Sequence, residues 1–283
     1  MRAHGRSQAV GGLLDAIAAS VRTTVARRRE RVPIDALART AEQQRPDGPR
    51  FREAIGRAHR VNVIAECKRR SPARGVLATA YAPAAIARAY EQRGAAAISV
   101  LTEPTFFDGA LAHLEAVRAV SSLPLLRKDF ILDTYQVYEA RAAGADAILL
   151  IVALLDRGAL EQLSRCAADL GLAAMVEVHS GPELAEACDI GADIIGVNSR
   201  DLRTLAVDPR VCEALIEQAP PGAVMVAESG IRSRADIDRL ALLGYRAFLV
   251  GERLMSADDP GAALAGLVAP AASEGPACAE PGA

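Results

Sequence analysis

The chain has 283 residues, with thirty-three basic and thirty-five acidic side chains, so its formal net charge is −2. Nucleic acids and anionic membranes attract summed positive charge, so this near-neutral chain is not expected to bind either of them. Hydrophobic residues make up 51% of the chain and charged residues 24%. These proportions exclude a disordered or collagen-like protein and allow either one large α/β domain or two smaller domains.

Lysine is almost absent from the chain. Thirty-one of the basic residues are Arg, and the two lysines are Lys68 and Lys128. Arg and Lys serve equally well at most solvated positions, but only Lys provides a compact ammonium whose pKa can be adjusted. Asn is equally rare, with Asn62 and Asn198 as its two copies. These four residues either occur at their positions by chance or stand where the chemistry requires that residue type.

No segment of the sequence indicates secretion or membrane insertion. The apolar stretch 9–21 contains Asp15 and runs on into three arginines, which is typical of an amphipathic helix and not of a signal peptide. No run approaches the roughly 18 apolar residues of a membrane span. The five cysteines are odd in number and lack the paired spacing of metal ligands. We therefore expect a cytoplasmic protein with reduced thiols and no metal site.

The pattern of elements changes near residue 60. Residues 1–60 show helical periodicity without a strand pattern, and Pro46, Gly48 and Pro49 separate the helical pieces. From Val61 onward, short β-branched runs alternate with longer helical patterns, which is typical of parallel βα units. The eight predicted strands cover residues 62–66, 97–101, 124–127, 147–152, 173–178, 194–198, 223–227 and 247–250.

An internal repeat supports this count of strands. A glycine followed by two small or polar residues and an apolar strand recurs at Gly94, Gly144, Gly191 and Gly244, about 50 residues apart. Four such quarters, each of two βα units, predict a closed (β/α)8 TIM barrel of the usual size of about 250 residues. An open doubly wound sheet would carry a Gly-rich phosphate loop after its first strand, and none follows Glu66.

The predicted organisation therefore has three parts. An N-terminal helical extension over residues 1–60 packs on the barrel, and the catalytic barrel itself covers residues 61–268. Residues 269–283 are rich in Ala, Pro and Gly without an apolar period, so we predict a disordered tail there.

Charged residues collect at the C-terminal ends of the predicted strands, where reactive groups of such barrels lie. Both lysines fall on these ends, together with the segments 66–68, 127–129, 177–179, 198–200 and 228–230. Ammonium and carboxylate groups that converge in a partly dry mouth shift one another's pKa values, which can supply an acid and a base near neutral pH. The same groups suit an anionic substrate.

Two turns indicate a phosphate site. Ser229 and Gly230 follow the seventh predicted strand, and Gly251 and Glu252 follow the eighth. Loops after these two strands are the usual barrel location for a phosphate held by backbone N–H groups.

At these strand ends the sequence resembles the indole-3-glycerol-phosphate synthase family of the tryptophan pathway. The matching stretches are residues 64–72, 98–107, 126–131, 176–179, 196–202 and 227–231. The resemblance implies a carboxy-lyase that converts 1-(2-carboxyphenylamino)-1-deoxyribulose 5-phosphate to indole-3-glycerol phosphate with loss of CO₂ and water. It implies no cofactor and no metal, since the ring becomes the electron sink once the new C–C bond makes it cationic.

The resemblance also implies roles for the charged residues. Lys128 would be the general acid that protonates the ribulose carbonyl oxygen, and Lys68 would pair with the anthranilate carboxylate or donate a proton in dehydration. Glu177 would be a general base or would stabilise the cationic ring, with Glu66 assisting. The division of acid and base roles among these four residues is left open.

The remaining candidates are implied to hold or surround the substrate. Asn198 would hold a substrate hydroxyl or a catalytic side chain, and Glu228 would line the same mouth. The expected phosphate ligands are Ser71, Ser229, Gly230, Gly251 and the backbone of Glu252, with charge added by Arg200. The expected apolar wall for the aromatic ring consists of Phe107, Phe130 and Leu149. The loop 69–79 is a candidate lid.

Two positions depart from the family pattern. Cys67 replaces an aliphatic residue on the predicted outward face, and Arg253 stands in the phosphate turn where a small residue is common. Three other readings stay open: a barrel aldolase with Lys128 or Lys68 as Schiff-base nucleophile, an isomerase of the same pathway, and a barrel that only binds a phosphorylated ligand. We expect a monomer, with association with other tryptophan-pathway enzymes left open.

Overall fold

The computed structural model describes residues 12–269, so the predicted tail lies outside the described residues except for Ala269. The strands are β1 Asn62–Cys67, β2 Arg70–Ser71, β3 Gly75–Val76, β4 Ala97–Leu101, β5 Leu125–Lys128, β6 Ala147–Ile151, β7 Ala173–Val178, β8 Ile194–Asn198, β9 Val224–Glu228 and β10 Ala247–Val250. The helices are α1 Leu13–Arg31, α2 Ile34–Glu42, α3 Gly48–Gly56, α4 Pro83–Gln92, α5 Pro104–Phe107, α6 Leu111–Arg118, α7 Thr134–Ala142, α8 Arg157–Asp169, α9 Gly181–Asp189, α10 Arg210–Ile216, α11 Arg234–Leu243, α12 Glu252–Met255 and α13 Pro260–Val268. A 3-10 turn covers Val152–Leu154.

Eight parallel strands form a closed barrel, which confirms the predicted (β/α)8 fold. Each barrel strand pairs with the next one along the chain, and β10 returns to pair with β1. The eight predicted strands all exist, and every boundary agrees to within one residue. Strands β5 and β9 end one residue later than predicted, so Lys128 and Glu228 are their last residues.

The loop after β1 contains an element that the sequence did not predict. Strands β2 and β3 form a small antiparallel hairpin, with Arg70 opposite Val76 and Ser71 opposite Gly75. Each strand has only two residues. A hairpin of that length is too short to show a two-residue hydrophobic period, so pattern reasoning had no signal for it.

Alternation along each barrel strand divides the core into two layers. In β1, Val63, Ala65 and Cys67 belong to the cluster between the strands and the surrounding helices. Ile64 belongs to the cluster inside the barrel, and Glu66, two residues on, shares its face. Cys67 is thus buried on the outward face, where its departure from the family pattern does not reach the mouth.

Helix α1 packs against the interior cluster near the C-terminal ends of the strands. Its buried residues Ile17, Val21 and Val25 belong to the same cluster as Phe130 and Leu149. The Ser20 and Thr105 hydroxyls lie 2.9 Å apart, which links α1 to α5. The N-terminal segment is therefore part of the apolar support of the barrel mouth.

Arg127 points away from the mouth, contrary to its expected place among the charged groups there. Its side chain is completely buried between the strand and helix α7, because successive side chains of a strand alternate and the neighbouring Lys128 points into the barrel. The guanidinium forms ion pairs with Asp129 at 2.8 Å and Glu139 at 3.3 Å. It also donates to the Gln136 carbonyl oxygen at 2.6 Å. This buried cluster anchors the strand that carries Lys128.

Replacing Arg127 by Met is expected to destabilise the fold by about 3–5 kcal/mol, because Asp129 would be left as a buried carboxylate without its cation and Glu139 would keep only Arg28, at 2.8 Å. Urea denaturation followed by circular dichroism measures the loss. Arg157→Met is the matched control, since Arg157 forms its ion pairs with Glu161 and Asp189 at the solvated surface. Equal denaturation midpoints for the two variants would contradict the structural role of the buried cluster.

Candidate active site

A cavity of about 500 Å³ lies at the C-terminal ends of the barrel strands. Fourteen of the fifteen candidate residues line it: Glu66, Lys68, Phe107, Lys128, Phe130, Leu149, Glu177, Asn198, Arg200, Glu228, Ser229, Gly230, Gly251 and Glu252. Ser71 is the exception. It is buried in the hairpin after β1, where its hydroxyl accepts a hydrogen bond from the Arg74 backbone N–H at 3.3 Å.

Lys128 lies between two buried carboxylates. Its Nζ is 2.8 Å from Glu177 Oε2 and 3.1 Å from Glu228 Oε2. Burial acts to lower the pKa of Lys128, but the charges of Glu177 and Glu228 outweigh burial and raise this pKa above its ordinary value. Lys128 is therefore an ammonium at neutral pH, and one of its three N–H groups donates to Glu177.

Glu177 has both carboxylate oxygens engaged. Oε2 accepts from Lys128, and Oε1 accepts from the Asn198 amide at 3.1 Å. The His179 ring nitrogen Nε2 also lies 3.3 Å from Oε1. Burial acts to raise the pKa of Glu177, but Lys128 and His179 together hold it well below its usual range. Glu177 is thus a fixed anion.

Glu228 has the opposite electrostatic environment, although it shares Lys128 with Glu177. Its Oε1 is buried without a hydrogen-bond partner. Burial, aided by the nearby Glu177 charge and opposed by Lys128, raises the pKa of Glu228 to about 8. A Cβ at Gly196 would lie 2.1 Å from that oxygen, so the glycine provides the space that the carboxylate occupies. Glu228 can therefore exchange a proton near neutral pH.

Glu66 and Lys68 form the second ammonium and carboxylate pair. Their side chains share the inward face of β1 and its extension, as their spacing predicted, and Lys68 Nζ is 2.5 Å from Glu66 Oε1. Gly251 lies directly beside this pair, since a Cβ there would be 2.1 Å from Glu66 Oε1. The cavity therefore contains two ammonium groups, Lys68 paired with Glu66 and Lys128 held between Glu177 and Glu228.

Asn198 connects the catalytic pair to the turn after β9. Its amide donates to Glu177, and its carbonyl oxygen accepts from the Ser229 hydroxyl at 2.8 Å and from the Arg200 backbone N–H at 3.0 Å. Of its two predicted roles, the structure shows contacts that suit the holding of a catalytic side chain.

The turns after β9 and β10 form one end of the cavity. Ser229 and Gly230 are consecutive residues with positive φ, 66° and 76°, so the backbone turns sharply there. Arg200 and Arg74 both reach Glu252, at 3.2 Å and 3.4 Å. The cationic residues that line this end are Arg74, Arg200, Arg232 and Arg253.

The sequence reasoning missed two of these arginines, Arg74 and Arg232. Because Arg is the common basic residue of this chain, its type carried no signal, and only tertiary placement distinguishes these two from surface arginines. Arg253, noted as a departure from the family pattern, lines the cavity and donates through Nε to the Arg232 carbonyl oxygen at 3.3 Å.

The opposite part of the cavity is apolar. The Phe107 and Phe130 rings lie 6.0 Å apart between centroids at an interplanar angle of 41°. Leu149 lines the same cavity, as predicted. The cavity also has seven apolar lining residues that were not predicted: Leu101, Ile151, Leu202, Val207, Ile231, Leu249 and Val250. This arrangement suits a flat apolar ring whose substituents reach the charged groups.

Across residues 12–269, no helix has both the length and the apolar character that a membrane crossing needs. Within the same residues, no group of three or more His, Cys, Asp or Glu side chains is arranged as a metal site.

The fold and cavity define a (β/α)8-barrel enzyme with two ammonium and carboxylate pairs and a cationic end suited to a phosphorylated small molecule. The family model for indole-3-glycerol phosphate synthase matches residues 14–267. The chain belongs to this family, a family of carboxy-lyases in tryptophan biosynthesis. The predicted family, fold and enzyme class are thereby confirmed.

Known relatives agree with this assignment. The chain is 49% identical over 255 residues to an indole-3-glycerol phosphate synthase of Parafrankia sp. (strain EAN1pec), an alignment that covers 90% of this chain and 94% of the relative. It is 48% identical over 270 residues to the synthase of Mycolicibacterium vanbaalenii, covering 95% and 97%. The 3-hexulose-6-phosphate synthase structure from Salmonella typhimurium has a TM-score of 0.59 at 15% identity, covering 73% of this chain and 96% of that one, which reflects the fold alone.

Proposed function

We propose that the cavity binds 1-(2-carboxyphenylamino)-1-deoxyribulose 5-phosphate in an orientation set by its two anionic ends. The phosphate lies among the arginines and the backbone N–H groups of the turns after β9 and β10, and the carboxylate pairs with Lys68. The aromatic ring packs on Phe107 and Phe130. Anchoring both ends brings the ring carbon and the ribulose carbonyl together, which removes much of the entropic cost of ring closure.

In the first step, the ring carbon that carries the carboxylate attacks the carbonyl carbon, and Lys128 donates a proton to the carbonyl oxygen. The support for this role is that Lys128 is held protonated by two carboxylates. The developing alkoxide is far more basic than an amine, so the proton moves to it readily although the pKa of Lys128 is raised.

The second step is loss of CO₂, whose bonding electrons return to the cationic ring. A fixed carboxylate stabilises that cation, and Glu177 suits this role better than the role of base, because both its oxygens already accept hydrogen bonds. Its lowered pKa leads to the same assignment, since a weak base is a poor proton acceptor.

The third step is loss of water, which needs an acid for the departing hydroxyl and a base for the proton on the carbon next to the ring nitrogen. Lys68 donates the proton to the hydroxyl, with Glu66 as its partner. Glu228 in its ionised form takes up the proton from carbon, because its pKa of about 8 makes that anion a stronger base than Glu177 and its Oε1 has no other hydrogen-bond partner. One proton from solvent balances the sequence, since a carboxylate leaves as neutral CO₂.

The observation that carries this proposal is the Lys128 ammonium held between Glu177 and Glu228, beside the Glu66 and Lys68 pair. The same observation disfavours the aldolase reading, because a Schiff-base lysine must be a neutral amine to attack a carbonyl. Here burial of Lys128 is outweighed by two carboxylates that keep it charged.

Purified enzyme is expected to convert the substrate to indole-3-glycerol phosphate, detected by indole fluorescence, with one CO₂ per product. Lys68→Arg keeps the positive charge but is expected to lower kcat about 10²-fold, because guanidinium is too weak an acid to give up a proton. Arg165→Lys, at an exposed position on α8, is the matched control and should leave turnover unchanged. Near-normal turnover by Lys68→Arg, or a covalent lysine adduct after borohydride treatment with substrate, would overturn the proposed chemistry.

A further inference from the structure

His179 lies just behind the catalytic pair and does not line the cavity. It follows Glu177 by two residues, and its ring lies between two carboxylates. Nε2 is 3.3 Å from Glu177 Oε1, and Nδ1 is 3.2 Å from Glu183 Oε2. The side chain is 14% exposed, so neither contact is made in free solvent.

Glu183 is held in place to receive the ring. It lies in the first turn of α9, where its Oε2 accepts the His179 backbone N–H at 2.8 Å. Its Oε1 accepts the Ser180 hydroxyl at 3.2 Å. Three groups from one short segment therefore converge on this carboxylate, and they orient the imidazole toward Glu177.

The geometry determines the charge of the ring. A neutral imidazole has one N–H donor and one lone pair, so one of its nitrogens would face a carboxylate with repulsion. The imidazolium donates from Nδ1 to Glu183, and its positive charge at Nε2 lies 3.3 Å from Glu177 Oε1, although Nε2 forms no hydrogen bond there. Burial acts to lower the pKa of His179, but Glu177 and Glu183 outweigh it and raise this pKa to about 10. The other charged groups nearby are Lys128, on the far side of Glu177, and Asp201, whose pKa is lowered in part by His179.

We propose that His179 is a positioning residue: its imidazolium, anchored by Glu183, holds the Glu177 carboxylate in place and keeps it ionised when Lys128 gives up its proton. This inference rests on the proposed roles of Lys128 and Glu177. When Lys128 becomes neutral, Glu177 loses one of its two cations while it is needed as an anion. A buried carboxylate with no cation nearby tends to take up a proton, and His179 prevents this.

The test is the pH dependence of kcat in His179→Gln, which keeps a hydrogen-bonding side chain and removes the charge. We expect kcat to fall about 10–100-fold, as for a displaced catalytic group, with KM within about twofold. The acid side of the kcat profile has two limbs, one set by Glu228 and a lower one set by Glu177. Because the pKa of Glu177 rises in the variant, the lower limb moves to higher pH. Glu183→Gln should move the limb in the same direction by less, since the imidazole keeps one carboxylate.

Glu186→Gln on the exposed face of α9 is the matched control and should leave the profile unmoved. A lowered kcat with an unmoved acid limb, or a raised KM at unchanged kcat, would overturn the positioning role.

A second readout needs no turnover. The ¹⁵N chemical shifts of labelled wild-type protein, assigned by the resonance lost in His179→Gln, should show both His179 ring nitrogens protonated at pH 8. A neutral ring at that pH would overturn the inference even if ring closure is observed. Conversely, a protonated ring in a protein without ring-closing activity would count against the proposed function and not against the His179 geometry.

Discussion

Lys128→Met is expected to lower kcat for ring closure by about 10²–10⁴-fold, the usual effect of losing a general acid. Lys128 is the ammonium that both Glu177 and Glu228 contact, and methionine has no proton to donate in its place. The fold should survive, because Glu177 keeps the contact with Asn198 and the nearby His179, and Glu228 can become protonated. Steady-state kinetics measures kcat, and circular dichroism shows whether the fold is kept.

Lys128→Arg tests whether catalysis needs the proton of Lys128 or only its positive charge. Arginine keeps the cation between the two carboxylates, but it is permanently charged and does not act as an acid at neutral pH. We therefore expect it to be nearly as inactive as Lys128→Met. Arg165→Met, at a side chain that is 71% exposed, serves as the surface control and should keep full activity. Near-normal turnover by Lys128→Arg would show that the charge alone suffices, and the general-acid role would be wrong.

Gly251→Ala is expected to reduce kcat/KM by about 10²-fold, the order of loss that follows a misplacement of about 1 Å at a catalytic group. The added Cβ would lie 2.1 Å from Glu66 Oε1, 2.8 Å from its Cδ and 3.1 Å from its Cβ. Rotation of the carboxylate cannot relieve all three contacts, so the Glu66 side chain must move and its pairing with Lys68 changes. Backbone strain of the left-handed kind is not the cause, since φ at Gly251 is −124° and lies outside the left-handed region that favours glycine.

The matched control is Gly266→Ala in α13, where an added Cβ meets nothing within 4 Å. This variant should keep wild-type kinetics and gain about 0.5–1 kcal/mol in the free energy of unfolding, because Ala favours a helix interior over Gly. Kinetic assays of both variants measure kcat/KM, and thermal denaturation measures the change in the free energy of unfolding. Unchanged kinetics in Gly251→Ala would mean that the position of Glu66 is irrelevant to catalysis.

Much of the site was predictable because a barrel brings all its strand ends to one rim. Once the strands were located, Glu66, Lys128 and Glu177 had to share a mouth, whichever residues separate them along the chain. The scarcity of Lys then drew attention to the two positions where an ammonium is used. The resemblance at the strand ends supplied the chemistry that these groups perform.

Errors arose where one residue of register or a long-range contact decides the outcome. Arg127 was placed with the mouth, although its neighbour Lys128 takes the inward direction and leaves Arg127 in a buried outer cluster. Ser71, whose phosphate contact stays a prediction, lies in a hairpin that the sequence did not predict and does not line the cavity. Arg74 and Arg232 were missed because their residue type is common everywhere in the chain.

The barrel, its eight strands and the residues at its mouth follow from the amino-acid sequence, since hydrophobic periodicity and the glycine repeat are local signals that survive without coordinates. The pairing of those residues is a property of the folded chain. Lys128 lies between Glu177 and Glu228, and the His179 ring contacts Glu177 from outside the cavity. Glu177 and Glu228 are the same residue type, yet the pKa of Glu177 is lowered and the pKa of Glu228 is raised, because burial and charge act through space and not along the chain.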